Sequence, residues 1–205
     1  MFYSILDTKR QDVLPLFAHF KDTFYLAGGT ALALQIGHRD SIDFDFFTEQ
    51  TFDTGELFAR LEKIFEGHTL LKTQDERNTL SVLVDDSIKV SFMTYPYTLL
   101  SPLVEEPNLR LASLLDIGCM KLSAIVGRAT LKDYVDIYYI LQQIPLPQLL
   151  DSSTKKFPSV DVGLTLKSLV YFADIEREPI SFTPGHEVTL ATIEQTLRDA
   201  IKKAY

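Results

Sequence analysis

The chain has 205 residues, between the usual size of one domain and that of two, and 46% of them are apolar, enough for one mixed core with a helical annex. Its 28 acidic against 20 basic side chains give a formal net charge of −8, which argues against a surface that binds nucleic acid broadly by counterion release and leaves room only for a local basic groove. No run reaches the roughly 18 to 20 apolar residues of a membrane helix, Met1 to Leu6 lacks the features of a signal peptide, and the lone Cys119 can form no internal disulfide, so the expectation is a soluble cytoplasmic protein with no membrane partner.

In chain order, Asp12 to Lys21 has apolar residues at helical spacing, with Pro15 tolerable only near the first turn. Phe24 to Ala27 is a short apolar run stopping at Gly28-Gly29, and Thr30 to Ile36 reads as a helix, giving strand, tight turn, helix. Ile42 to Phe47 alternates with the period of a strand, which places Asp43 and Asp45 on one face and Ile42, Phe44 and Phe46 on the other. After Asp53-Thr54, a helix cap, an amphipathic helix runs to about Gly67. Strands are expected over His68 to Thr73, Thr79 to Val84 and Ile88 to Tyr95, with turns at Gln74 to Asn78 and Asp85-Asp86-Ser87.

Prolines 96, 102 and 107 mark a connection, beyond which the chain becomes helical. The boundary is placed there, giving a core over residues 1–107 and a helical region over 108–205 packed on it. Helices are expected over Leu109 to Val126, Leu131 to Gln142, Val160 to Ala173 and Thr189 to Ala204, with Pro145 and Pro147 as an interruption and Glu176 to Gly185 as a loop. The fold class is α+β: a mixed sheet with flanking helices, followed by a helical half.

The informative segment is Gly28 to Phe47, GGTALALQIGHRDSIDFDFF. Two glycines at a strand-to-helix turn allow close backbone approach to a ligand, and the helix N-terminus offers N–H groups to a phosphate. Thr30 can cap that helix or touch the phosphate. Two carboxylates on one strand face, Asp43 and Asp45, can share hard divalent cations, Mg2+ or Mn2+, that bridge triphosphate oxygens. Each signal is weak alone, since Gly-Gly is usually a turn and Asp-x-Asp a solvated face; in this order they meet several requirements of one site. The scattered histidines 19, 38, 68 and 186 show no zinc spacing.

Gly28-Gly29-Thr30, the Arg39-x-Ser41 pair and Asp43-Phe44-Asp45 together resemble the first motif of the AbiEii/AbiGii toxin family of nucleotidyltransferases, within the DNA polymerase beta-like superfamily. Lys121-Leu-Ser-Ala, Arg128 and Lys132-Asp133-Tyr134-Val135-Asp136 are similar to its later helical motifs, and Ser168 to Phe172 with Asp174 resembles a C-terminal stretch of its short members. The resemblance implies a nucleotidyltransferase fold, transfer of a nucleotide from a nucleoside triphosphate to RNA or another acceptor, and often a cognate antitoxin partner. It implies a functional role for Lys121 and an acidic role for Asp133 or Asp136, and it makes Arg39 and Ser41 nucleotide-binding candidates beside Gly28, Gly29 and Thr30.

One position departs from that superfamily. The strand expected to supply a third carboxylate reads Ile88-Lys89-Val90-Ser91-Phe92-Met93, with Ser91 in its place, and a serine hydroxyl is a weak metal ligand and no base at neutral pH. The alternative to a metal-dependent transferase is therefore a nucleotide- or partner-binding protein that kept the fold and lost turnover; a phosphohydrolase using the same metal is a third. Plain structural readings stand beside the others: Arg39 as an ion-pair partner of Asp40, Asp43 or Asp45, Lys121 as a lysine at the core edge, and Asp133 and Asp136 paired with Lys132, Arg128 or solvent.

Overall fold

Residues 1–204 are described by the structure, a computed structural model, and they divide into a sheet unit and a helical unit. The sheet unit comprises Met1–Gly37, Ser41–Thr98 and Pro102–Ala112; the helical unit takes His38–Asp40, Leu99–Ser101 and the chain from Ser113 onward.

In the sheet unit the order of elements is α1 (Thr8–Val13), β1 (Tyr25–Ala27), α2 (Gly28–Ile36), β2 (Phe44–Thr48), α3 (Thr54–Ile64), β3 (Leu70–Glu76), β4 (Thr79–Val84), β5 (Ile88–Thr94), β6 (Val104–Glu105) and β7 (Arg110–Leu111). The strands form one mixed sheet ordered β3-β4-β5-β2-β1-β7-β6. Its centre is antiparallel β1 on β2 and parallel β2 on β5, with Phe44 opposite Val90 and Phe46 opposite Phe92. Those residues face a core of aromatic rings: Phe17 lies 4.7 Å from Phe44 and 4.9 Å from Phe46, and Phe46 stacks on Phe92 at 5.2 Å. Alternation then turns Asp45 and Ser91 to the other face.

Several sequence expectations shift here for identifiable reasons. The leading helix is α-helical only over Thr8–Val13, capped by Asp7, whose carboxylate accepts the Arg10 N–H at 2.9 Å, and continues as a tighter 3-10 helix over Leu14–Phe20. Pro15 lacks the N–H and crowds the preceding turn, so the α-helix cannot propagate through it. Ile42, expected on the strand face of Phe44 and Phe46, is 56% exposed because β2 begins only at Phe44. The expected turn over Gln74 to Asn78 is largely strand: β3 runs to Glu76 and Asn78 alone adopts a positive φ, 61°. Asp85 and Asp86 do form the turn between β4 and β5, both with positive φ (48° and 53°), the pattern of a type I′ turn.

The helical unit contains α4 (Leu114–Gly127), α5 (Leu131–Ile140), α6 (Leu146–Lys156), α7 (Val162–Leu169) and α8 (Leu190–Ala204). The helix expected from Leu109 starts five residues later, because Arg110–Leu111 pairs instead with β1, Leu111 opposite Leu26, and Ser113 caps α4 by accepting the Asp116 N–H at 3.0 Å. Pro145 and Pro147 do not interrupt a helix; they stand at the start of α6, where a missing N–H costs nothing. α7 is shorter than expected and ends at Leu169. Buried Asp116 accepts from Lys156 at 2.8 Å and from the backbone N–H groups of Leu100 and Ser101 at 2.9 and 3.2 Å, which ties that short segment into the helical unit.

Candidate functional site

In the sheet unit the strand-turn-helix and the acidic strand come together. Ala27 is the register partner of Asp45, and the next residue, Gly28, opens α2 with φ +74°. A Cβ on Gly28 would stand 3.4 Å from Asp45 Oδ2, an ordinary contact, so what glycine supplies is the left-handed backbone beside that carboxylate. No side chain caps α2, whose first-turn N–H groups are the kind that receive an anion. Asp43, two residues before Asp45, is exposed, whereas Asp45 is half-buried. Thr30 is buried and spent locally: its hydroxyl donates to the Asp43 carbonyl and lies 2.7 Å from Ser41 Oγ. These contacts tie the entry of β2 to α2.

On the same face, Ser91 is the register partner of Asp45 on β5, and Ser81 on β4 is the partner of Ser91. Their hydroxyls lie 3.1 Å apart. Ser81 was not singled out from the sequence; its position opposite Ser91 follows only once the hairpin register is known. Among the described residues no group of three or more His, Cys, Asp or Glu side chains is arranged to hold a metal ion, so the carboxylates available at this place are the pair Asp43 and Asp45.

The helical unit holds a second cluster, built around buried Asp136 on α5. Arg39 grips it as a fork, Nε to Oδ1 at 2.8 Å and the NH2 nitrogen to Oδ2 at 2.9 Å, and spends its NH1 nitrogen on the Asp40 carbonyl at 3.0 Å. Lys121 on α4 stands 2.6 Å from Asp136 Oδ2 and 2.7 Å from Asp133 Oδ1. Asp133 also accepts from Thr130 Oγ1 at 2.7 Å and Arg128 Nε at 3.1 Å. Arg39 is therefore an ion-pair residue, but its partner is Asp136, not the neighbours Asp40, Asp43 or Asp45; Lys121 is anchored by two carboxylates and does not trail along the core edge.

His38 completes this cluster, and no local pattern singles it out, since its partner lies nearly a hundred positions away. Its Nε2 is 2.8 Å from Asp136 Oδ1 and its Nδ1 is buried with no hydrogen-bond partner. Burial pushes the His38 pKa down despite the pull of Asp136, so the ring is neutral, with the proton on Nε2. Burial would raise the Asp136 carboxyl, but the Lys121 and Arg39 charges and the bonds from His38 and Arg39 outweigh it and hold Asp136 well below the ordinary carboxylate range. Asp133 is lowered in the same way: burial opposes, and Lys121, Thr130 and Arg128 prevail.

Comparison with known proteins places these observations. The description "Nucleotidyl transferase AbiEii toxin, Type IV TA system" matches residues 16–205. An uncharacterized protein of Aquifex aeolicus is 39% identical over 165 residues, covering 76% of each chain. Among solved structures, the nucleotidyltransferase toxin MenT4 of Mycobacterium tuberculosis is similar with a TM-score of 0.64 at 16% identity, over 94% of this chain and 80% of that one. JHP933 of Helicobacter pylori is similar with a TM-score of 0.60 at 18% identity, over 97% and 94%. At those identities the solved structures speak for the fold.

Proposed function

The chain belongs to the AbiEii nucleotidyl transferase toxin family, and on that footing we propose that it moves a nucleotide from a nucleoside triphosphate to an RNA or other acceptor, with a divalent cation on Asp43 and Asp45 and the triphosphate at the Gly28-Gly29 turn. The observation that carries the reading is the junction of Gly28 with Asp45, where a left-handed glycine, a helix N-terminus and a carboxylate meet within one register step of Ala27.

The donor set fits magnesium or manganese. Mg2+ is ordinarily held by one or two carboxylates together with substrate phosphates, not by an all-protein cage, and hard oxygens are what Asp43 and Asp45 offer. Bound there, such a cation would neutralise charge on the triphosphate and on the leaving pyrophosphate. The protein's own part is positioning: α2 presents backbone N–H groups, Thr30 and Ser41 fix the entry of β2, and Asp43 and Asp45 stand two residues apart at that entry.

For the helical unit taken by itself, we assign Lys121 the phosphate-charge role that the family resemblance suggests, with Asp133 and Asp136 holding its ammonium in place. Arg39 and His38 then act through Asp136 as positioning residues and do not themselves touch the nucleotide. An antitoxin partner follows from the family description alone and is proposed on that ground.

A titration with nucleoside triphosphates and Mg2+, followed by a pyrophosphate-release assay with cellular RNA and protein as acceptors, tests the reading. Binding with release supports it. Binding without release on any acceptor favours the second reading, a nucleotide-binding protein without turnover, for which Ser91 beside Asp45 is the supporting observation.

A further inference from the structure

Asp43 stands just outside the sheet ladder, because β2 begins at Phe44. Among the described residues no hydrogen bond or ion pair holds its carboxylate, so the aim of that group is set through its main chain. Side chains from two other elements fix that main chain. The Thr30 hydroxyl of α2 donates to the Asp43 carbonyl, and Arg10 Nε donates to the preceding carbonyl, that of Ile42, at 2.7 Å.

Arg10 reaches this place from α1 and is 6% exposed. Its NH2 nitrogen donates to the Ser87 carbonyl at 2.8 Å, and its NH1 nitrogen donates to Asp7, the residue that caps α1. Nε–H and the NH2 group share one edge of the planar guanidinium, so the carbonyls of Ile42 and Ser87 are gripped side by side. Ile42 leads into β2 and Ser87 into β5, the parallel strands that pair Phe44 with Val90 and Asp45 with Ser91. Arg10 therefore clips the entries of both strands together one residue before Asp43, and Asp7 balances the buried charge.

We propose that Arg10 is a positioning residue of the metal site, acting on Asp43 through the Ile42 main chain. The proposal rests on the reading of Asp43 and Asp45 as cation ligands. Arg10 lies before residue 16, where the family description begins to match, so that likeness assigns it no role. A carboxylate already aimed at the cation binds it without first being ordered, and groups that support metal ligands are typically worth about 10–100-fold in metal affinity.

The test measures affinity for a non-cleavable α,β-methylene nucleoside triphosphate with and without saturating Mn2+, and reads the ratio of the two as the gain due to metal. In Arg10→Ala that gain should fall by at least about tenfold while metal-free affinity stays within about twofold of wild type. Loss of a positive charge would by itself favour the cation and raise the gain, so the direction separates misplacement from electrostatics. Arg10→Lys keeps the charge but has no fork for two carbonyls; its gain should fall as well, and it decides the matter if Arg10→Ala does not fold. Leu61→Ala, a core truncation on α3, controls for general loosening: it should lower the melting temperature and leave the gain at the wild-type value. A wild-type gain in the Arg10 variants, or a loss in Leu61→Ala as large as theirs, overturns the proposal and leaves the metal reading standing. Wild type that gains nothing from Mn2+ overturns both.

Discussion

At the scale of single residues, the two acidic groups of the chain obey opposite rules. On the proposed reading, exposed Asp43 and half-buried Asp45, two residues apart where β2 begins, serve function in place of stability. Asp43→Asn or Asp45→Asn should abolish Mg2+-dependent triphosphate binding in a titration while leaving the unfolding midpoint within about 1 kcal/mol of wild type or above it. Asp136 is the reverse case. Removing its charge strands Arg39 in a buried place and leaves Lys121 with Asp133 alone, and breaking such a pair costs about 3–5 kcal/mol, so Asp136→Asn should show that loss in urea unfolding. Lys121→Ala should also destabilise, because it leaves Asp136 with Arg39 and His38 alone and Asp133 with Arg128 and Thr130 alone. A binding defect in that variant therefore has to be separated from unfolding. The pH dependence has a definite sign. The depressed carboxyls of Asp133 and Asp136 contribute stability that is fully present above the ordinary value of 3.8 and is lost as pH falls through their lower folded values. His38, held neutral, binds its proton more weakly folded than unfolded, so stability should fall as pH drops below 6.5. His38→Gln should flatten the slope just below that pH; an unchanged slope in the variant would count against a buried neutral ring.

At the scale of elements, the strand-turn-helix-strand of Tyr25 to Thr48 was legible because its signals are local. Gly28-Gly29 can only be a tight passage, and the alternation of Phe44, Asp45 and Phe46 fixes which face is acidic. Gly28→Ala would force a side chain onto a backbone at φ +74° beside Asp45, a strain of about 1–2 kcal/mol; a lowered melting temperature together with weakened triphosphate binding is expected. The Asp85-Asp86 turn was legible for the same local reason. Asp86→Gly removes about 1–2 kcal/mol of positive-φ strain at an exposed position against about 0.5–1 kcal/mol of added glycine backbone entropy, so a small rise in thermal stability is expected. What the sequence did not yield is non-local. Arg110–Leu111 looks helical beside Leu114 and Leu115, and only pairing with Leu26 makes it a strand. Arg39 has acidic neighbours on both sides, yet its fork closes on Asp136, because the chain segment His38–Asp40 belongs to the helical unit. The position of Ser91 opposite Asp45 was readable from alternation once the two strands were taken as neighbours, whereas the link from Ser91 to Ser81 needed the register of the hairpin.

At the scale of the whole molecule, the chain is a nucleotidyltransferase-type sheet unit and a helical unit, each with its own charged centre, and the family description spans both. Within the helical unit, buried Asp133 and Asp136 meet Lys121 and Arg39 as two carboxylates with two cations, so the net charge of −8 resides elsewhere and bears on partners. That charge makes broad RNA affinity unexpected, so recognition of an acceptor should depend on its reacting end, and binding of bulk RNA should be weak at physiological salt. The central claim is that Asp43, Asp45 and the Gly28 turn form a site for metal-dependent nucleotidyl transfer. Its most direct measurement follows α-labelled nucleoside triphosphate, with Mg2+ and total cellular RNA and protein, in wild type and in Asp45→Asn. The account predicts label covalently retained on an acceptor with one pyrophosphate released per nucleotide transferred, and at least a hundredfold loss in the variant; label appearing only in hydrolysed nucleotide, or transfer undiminished in Asp45→Asn, would contradict it.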